Sequence, residues 1–294
     1  MSSLADHQLF SRVTTAIPVR AALEHAVQAL ALNSDTARLE AETLLAHILD
    51  KPRHYPYVWP EHPIAETQYR RFALLCRRRA AGEPVAYLLG RREFWSLDLE
   101  VTPATLIPRP ETECLVAAAL ALIPSCAKWS IADLGTGSGA IALAIAKERP
   151  HCRVIATDIS PAALAVAKGN ALRLSIRNVA FAEGDWFTAL AERGYPMILS
   201  NPPYIADNDP HLERGDVRFE PRSALLGGPR GMTPIRLIAD RARAYLAPNG
   251  RLLLEHGHQQ RRHLSRLLQR LGYRDITYHR DYAGRQRIIE GVAP

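Results

Sequence analysis

The sequence predicts an α/β protein: a small all-α bundle, then a doubly wound, mostly parallel sheet of seven strands with an antiparallel hairpin at one edge. Three observations lead there. Residues 19–90 carry apolar side chains at helical spacing, residues 130–292 alternate short apolar strands with helical segments, and the first strand-to-helix junction of that alternation is a glycine-rich turn.

In the first part Leu23, Ala26, Val27 and Leu30 recur at i, i+3, i+4 and i+7. Ala41, Leu44, Leu45 and Ile48 do the same after a Ser34/Asp35 cap, and Tyr69, Phe72, Ala73 and Cys76 make a third stripe. The third helix stops at Gly82, and Pro84 opens a short segment, EPVAYLLG, that Gly90 closes. A strand follows from Phe94 to Val101 within a hairpin linker, with Leu97, Leu99 and Val101 on one face and Asp98 and Glu100 on the other. Strands are then expected at 130–134, 153–157, 178–183, 196–200 and 251–255, with helices at 140–149, 161–173, 234–246 and 259–271. A last pair of strands, near 273–279 and 286–292, is too closely spaced for a helical crossover and reads as an antiparallel edge hairpin. In sheets of this kind ligands bind beyond the carboxyl ends of the strands.

Composition excludes several classes. At 47% hydrophobic and 23% charged the chain is an ordinary globular sequence, and 294 residues imply about two domains at roughly 150 residues each. Its longest apolar run, Leu115 to Ile123, is about half of the roughly 20 residues that span a bilayer. The first 20 residues lack a basic leader with an unbroken apolar core, so a cytoplasmic protein is expected. Cys76, Cys114, Cys126 and Cys152 form no CxxC pair and have no histidine at zinc-ligand spacing, which predicts reduced thiols and no metal site. The net charge of +7 is concentrated late: residues 251–294 hold nine arginines against four acids, whereas residues 1–90 are almost balanced. Arg262, Arg266 and Arg270 share one helix face, which suits either phosphates or plain solvation.

The chemistry lies in two places. Strand 130–134 runs into Gly135-Thr136-Gly137-Ser138-Gly139, where glycines permit a sharp turn and let a ligand lie against main-chain N–H groups at a helix N-terminus. Asp158 closes the next strand, in the place of the acid that grips ribose hydroxyls. Gly135, Gly137 and Ala140 also fit G-x-G-x-x-[GA], a pattern open to an NAD dehydrogenase and an S-adenosylmethionine methyltransferase alike. Asp133 before the glycines, Gly184-Asp185-Trp186 after the third strand, and the tetrapeptide after the fourth favour the methyltransferase. Asp185 and Trp186 would border the adenine, Trp186 offering a flat stacking face.

That tetrapeptide is Asn201-Pro202-Pro203-Tyr204. Successive prolines hold the chain extended, remove two donors and leave carbonyls free, so the Asn201 side chain and the Pro202 carbonyl together accept both hydrogens of a planar –NH₂ group. Tyr204 is placed to stack on that group. The substrate is therefore an amide or an exocyclic ring amine, whose delocalised lone pair has to be held in line with a methyl donor.

The segments REFWSLDLEVTPATLIPRPETE at 92–113, ADLGTGSGAIALA at 132–144, SNPPYI at 200–205, DPHLERGDVRFEP at 209–221 and LLLEHG at 252–257 together resemble the HemK/PrmC family. The likeness spans residues 19–292. It implies a seven-stranded, Rossmann-like methyltransferase sheet and transfer of methyl from S-adenosyl-L-methionine to the GGQ glutamine of class I peptide chain release factors, giving S-adenosyl-L-homocysteine without a metal. It further implies that Gly135, Thr136, Gly137, Ser138, Gly139, Asp158, Asp185, Trp186 and Asn201 contact the cofactor, and that Asn201, Pro202, Pro203 and Tyr204 cradle the glutamine. The expected division is an extension over 1–18, a helical substrate-docking domain over 19–90, a hairpin linker over 91–105 and the methyltransferase domain over 106–294. Arg109, Glu111 and Glu113 are read either as substrate contacts or as a helix start with first-turn acids. Two rivals remain: methylation of adenine's exocyclic amine in nucleic acid, for which no separate base-reading module is visible, and glutamine methylation of a ribosomal protein.

Overall fold

The computed structural model describes residues 17–294, which form two compact units that meet at Gly90/Arg91. The expected N-terminal extension lies outside the described residues up to 16. Its last two residues form β1 (Ile17–Pro18), which pairs antiparallel with β2 (Pro63–Ile64).

The first unit is helical, with α1 (Val19–Leu30), α2 (Ala37–Leu49), the single-turn α3 (Tyr55–Val58), α4 (Glu66–Ala80) and α5 (Val85–Leu89). Leu23, Leu30, Leu44, Leu45, Phe72 and Cys76 are buried in one cluster, so the three apolar stripes meet in a common core. The cap of α2 differs from expectation. The helix begins one residue after Thr36, and the Ser34 hydroxyl accepts the Thr36 N–H at 3.1 Å in a turn ahead of the helix. Gly90 ends α5 at φ +68°, the left-handed stop that its sequence position implies.

The second unit opens with a hairpin, β3 (Arg91–Phe94) and β4 (Leu97–Glu100), so the single strand expected from Phe94 to Val101 is in fact two. The chain reverses at Trp95 and Ser96, both at positive φ (50° and 53°). Such two-residue turns usually announce themselves as Asn-Gly or Asp-Gly; Trp-Ser gives no such signal. Next come α6 (Glu113–Leu122), β5 (Ser130–Leu134), α7 (Ala140–Glu148), β6 (Arg153–Asp158), α8 (Pro161–Arg173), β7 (Val179–Glu183) and β8 (Tyr195–Ser200). The chain ends with α9 (Thr233–Ala242), β9 (Leu246–Glu255), α10 (Arg261–Arg270), β10 (Arg274–Arg280) and β11 (Gln286–Val292). Here α9 is shorter and β9 longer than the sequence suggests, because Leu246 already pairs with Tyr195, ahead of a register shift in β8.

Seven strands form one sheet in the order β10-β11-β9-β8-β5-β6-β7; β11 runs antiparallel to both β10 and β9, and every other adjacent pair is parallel. The sheet is doubly wound. Ile131, Met197, Leu199, Leu253 and Ile288 face a core shared with α6 and α7, whereas Ala132, Leu134, Ile198, Leu252, Leu254 and Ile289 face one shared with α9 and α10. Alternate residues of each strand thus enter opposite cores, which is why the strands read as nearly continuous apolar runs. No helix among the described residues is long and apolar enough to cross a membrane.

Candidate active site

Parallel pairing brings the two motifs side by side. Leu134 on β5 is in register with Ser200 on β8, and the Ser200 hydroxyl donates to the Leu134 carbonyl at 2.7 Å. The glycine turn and Asn201 therefore leave the sheet at the same level, from adjacent strands. Between them lies a cleft of about 350 Å³, in the size range of small-ligand sites. Gly135, Thr136, Gly137, Ser138, Asp158, Asp185, Trp186, Asn201 and Pro203 contribute to its wall. Three expected residues do not. Gly139 caps α7, Pro202 is buried, and Tyr204 packs among the apolar residues under α9.

Gly135, Gly137 and Gly139 all have positive φ (73°, 56° and 87°). At Gly135 a Cβ would come within 3.1 Å of Trp186 Cζ3, so the glycine also makes room for the indole that closes over the turn. Four of the turn's N–H groups are taken up within the protein. Its Gly135 and Thr136 N–H groups both donate to the Thr157 carbonyl (2.9 and 2.8 Å), Gly139 N–H donates to Thr136, and Gly137 N–H donates to Asp158 Oδ2 at 2.9 Å. With those four donors satisfied internally, the turn itself offers a ligand close approach at Gly135, and the start of α7 borders the same cleft. Ser160 N–H holds the other Asp158 oxygen at 2.9 Å, so two main-chain donors fix the carboxylate at the cleft wall. Asp133 lies buried beneath, accepting from the Thr136 hydroxyl at 2.6 Å, and burial pushes its carboxyl up to about 7.

The Asn201–Tyr204 segment rests on a loop that sequence reasoning left out. Gln260 Nε2 donates to the carbonyls of Tyr204 (3.0 Å) and Gly231 (2.9 Å), while its Oε1 accepts from Gly257 N–H. A Cβ on Gly231 would fall 2.1 Å from the Tyr204 carbonyl oxygen, at a φ of +65°. Gly231→Ala is thus expected to cost more than the roughly 1–2 kcal/mol of a left-handed non-glycine residue, because the segment must also move. Thermal unfolding and turnover check it together; wild-type values of both would contradict this packing.

Arg109, Glu111 and Glu113 separate in the structure. Arg109 reaches the cleft wall and is ion-paired with buried Glu220, which also accepts Ile107 N–H at 3.1 Å. Glu113 instead accepts Trp95 N–H at 2.8 Å, bracing the hairpin turn, and Glu111 sits in a 3₁₀ turn over Pro110–Thr112 that leads into α6.

Comparison with known proteins places the chain in a family. Residues 21–90 match the family model for the PrmC N-terminal domain, and residues 114–216 match that for the methyltransferase small domain. The release factor glutamine methyltransferase of Salmonella typhimurium is 52% identical over 261 residues, 88% of this chain and 93% of that protein. That of Coxiella burnetii is 47% identical over 273 residues, 93% and 98% of the two. The chain belongs to the release factor glutamine methyltransferase family. Among solved structures, a methyltransferase from Pyrococcus furiosus superposes with a TM-score of 0.52 at 19% identity, covering 74% of this chain and 96% of that one, which is a likeness of fold.

Sequence reasoning left out Thr112, which lines the cleft, and Glu220, Glu255 and Gln260, which bond Arg109, Thr112 and the Tyr204 carbonyl in turn. Glu255 had a signal. It is an acid closing an apolar strand, as Asp158 is and Asp133 nearly is, and it lies inside the LLLEHG segment. It is 1% exposed and accepts from Thr112 Oγ1 at 2.7 Å and from the Tyr204 hydroxyl at 3.0 Å. Burial, above all, drives Glu255 up to about 7 and raises the Tyr204 phenol well above its ordinary value.

Proposed function

We propose that this chain transfers a methyl group from S-adenosyl-L-methionine to the side-chain amide nitrogen of the GGQ glutamine in class I peptide chain release factors, leaving S-adenosyl-L-homocysteine. The observation that carries the reading is the pairing of Leu134 with Ser200, from which the glycine turn and Asn201 enter one cleft. The cleft fits the cofactor in kind. It offers a close approach at Gly135, a fixed carboxylate at Asp158 for ribose hydroxyls, and an indole at Trp186 for a purine face. When bound, S-adenosyl-L-methionine supplies an electrophilic methyl on a sulfonium.

What the chain does is hold the acceptor. In this reading the Asn201 side-chain oxygen and the Pro202 carbonyl accept the two hydrogens of the glutamine –NH₂, fixing the amide plane and aiming its nitrogen at the methyl group. As the nitrogen gains positive character those hydrogen bonds strengthen, so they favour the transition state over the bound substrate. No strong base is needed beforehand, since the methylated nitrogen is acidic enough to release its proton afterwards. Asp185 borders the adenine and Pro203 the glutamine, while Tyr204, outside the cleft wall, supports the segment through its hydroxyl on Glu255. The helical unit, which matches the PrmC N-terminal domain, is assigned to docking the body of the release factor.

The test incubates the protein with methyl-labelled S-adenosyl-L-methionine and, separately, a release factor, a ribosomal protein and DNA. Label on the release factor's GGQ glutamine is the expected result. Label in DNA alone or in the ribosomal protein alone overturns it.

A further inference from the structure

We propose that Thr112 and Glu255 are positioning residues for the transfer, holding the Asn201 amide in the one orientation that turns its oxygen toward the substrate's –NH₂ group. This rests on the role given to Asn201 above and deepens it.

The argument is a count of protons. An ionised carboxylate only accepts, and Glu255 receives two hydroxyls, Thr112 on Oε2 and Tyr204 on Oε1. A threonine hydroxyl has a single proton. With that proton committed to Glu255, Thr112 Oγ1 has only lone pairs to offer its other neighbour, the Asn201 side chain at 3.2 Å. The Asn201 atom at that position has to be the donor, Nδ2, and it is. The opposite flip would set two acceptor oxygens against each other. Its Oδ1 is thereby turned away from Thr112, and among the described residues no protein donor reaches it, while Asn201 itself lines the cleft. Donation therefore runs from Asn201 to Thr112 to Glu255, and Tyr204 donates to the same carboxylate.

The fold assembles this chain from three distant segments. In the β8–β9 register Ser200 faces Leu254, so Glu255 ends its strand at the level of Asn201, and the 3₁₀ turn before α6 lowers Thr112 between them. Thr112 and Glu255 are both buried, and among the described residues no cation lies within ion-pair distance of Glu255. A charged carboxylate kept in such a place is costly, and a neutral side chain would serve packing alone. Its charge is what fixes the direction of donation: a protonated carboxyl can donate to Thr112, freeing that hydroxyl to donate to Asn201 Oδ1 and turning the amide round. Burial acts most strongly on Glu255 and raises its carboxyl to about 7; Thr112, Tyr204 and the charge of Arg287 on β11 pull toward the ionised form, and Glu111 opposes it.

The experiment measures turnover of a release factor substrate together with calorimetric affinity for S-adenosyl-L-methionine. Thr112→Val removes the hydroxyl at nearly constant shape and is expected to lower kcat by about 10- to 100-fold with cofactor affinity close to wild type, and to lower the melting temperature because buried Glu255 loses one of its two donors. Thr112→Ser, which keeps the proton, is expected to restore most of the rate. In single turnovers on an Asn201→Ala background, Thr112→Val is expected to add nothing, since it acts through that amide. The acid limb of the wild-type kcat profile, near pH 7, is expected to be absent in Glu255→Gln. A Thr112→Val enzyme with wild-type kcat, or one that loses as much again without Asn201, overturns the inference while leaving the proposed activity standing. A wild-type protein that labels no release factor overturns the activity itself and removes the premise here.

Discussion

Asn201→Ala is expected to lower methyl transfer by about 10²–10³-fold or more, the loss typical of deleting one preorganised polar group at a reacting centre. The reason is geometric. Asn201 leaves β8 beside the glycine turn, and of the acceptors assigned to the substrate nitrogen it is the one carried by a side chain, so truncation removes it without disturbing the Pro202 carbonyl. The fold should tolerate the change: Asn201 is only partly buried, and its one side-chain hydrogen bond among the described residues, to Thr112, costs little to lose where water can replace it. Melting temperature should stay near wild type, part of the cofactor affinity should remain, and the loss should fall on kcat. Turnover like that of the wild type would remove the central element of the proposed mechanism.

Asp158→Ala should act on the other half of the cleft. Asp158 serves two purposes, bracing the turn through Gly137 N–H and Ser160 N–H and, in the proposed reading, accepting ribose hydroxyls. Hydrogen bonds to a charged acceptor contribute roughly 1.5–3 kcal/mol each, so affinity for S-adenosyl-L-methionine is expected to fall by at least about 100-fold. Calorimetry reads this directly. Wild-type affinity in the variant would separate Asp158 from the cofactor, and a wild-type protein that bound NADH but not S-adenosyl-L-methionine would overturn the cofactor assignment itself.

The NAD alternative shows where one-dimensional reading stops. Gly135, Gly137 and Ala140 satisfy a pattern shared by both cofactor classes, because the pattern encodes a tight turn and says nothing of where its N–H groups point. The family relationship separates the two. Thr157, Thr136 and Asp158 engage four N–H groups of the turn itself, a detail of three-dimensional placement that the pattern does not carry. Trp95-Ser96 is a second such place: a turn at positive φ carried by residues without turn propensity is invisible until the strands on either side are seen to pair.

By itself the sequence determined the order and kind of the elements, the antiparallel edge pair, the glycine turn and the acceptor tetrapeptide. These are local properties: hydrophobic period, glycine and proline conformation, and the side-chain chemistry of short contiguous stretches. Tertiary structure alone decided which atoms face one another. Thr112, Asn201 and Glu255 lie far apart along the chain and in three separate elements, and their hydrogen bonds exist because β9 pairs beside β8 and the turn before α6 folds over both strand ends. Gln260 and Gly231 beneath Tyr204 belong to the same category. A hydrogen bond needs its partners within about 3 Å and correctly oriented, a condition on three-dimensional placement that residue spacing does not carry.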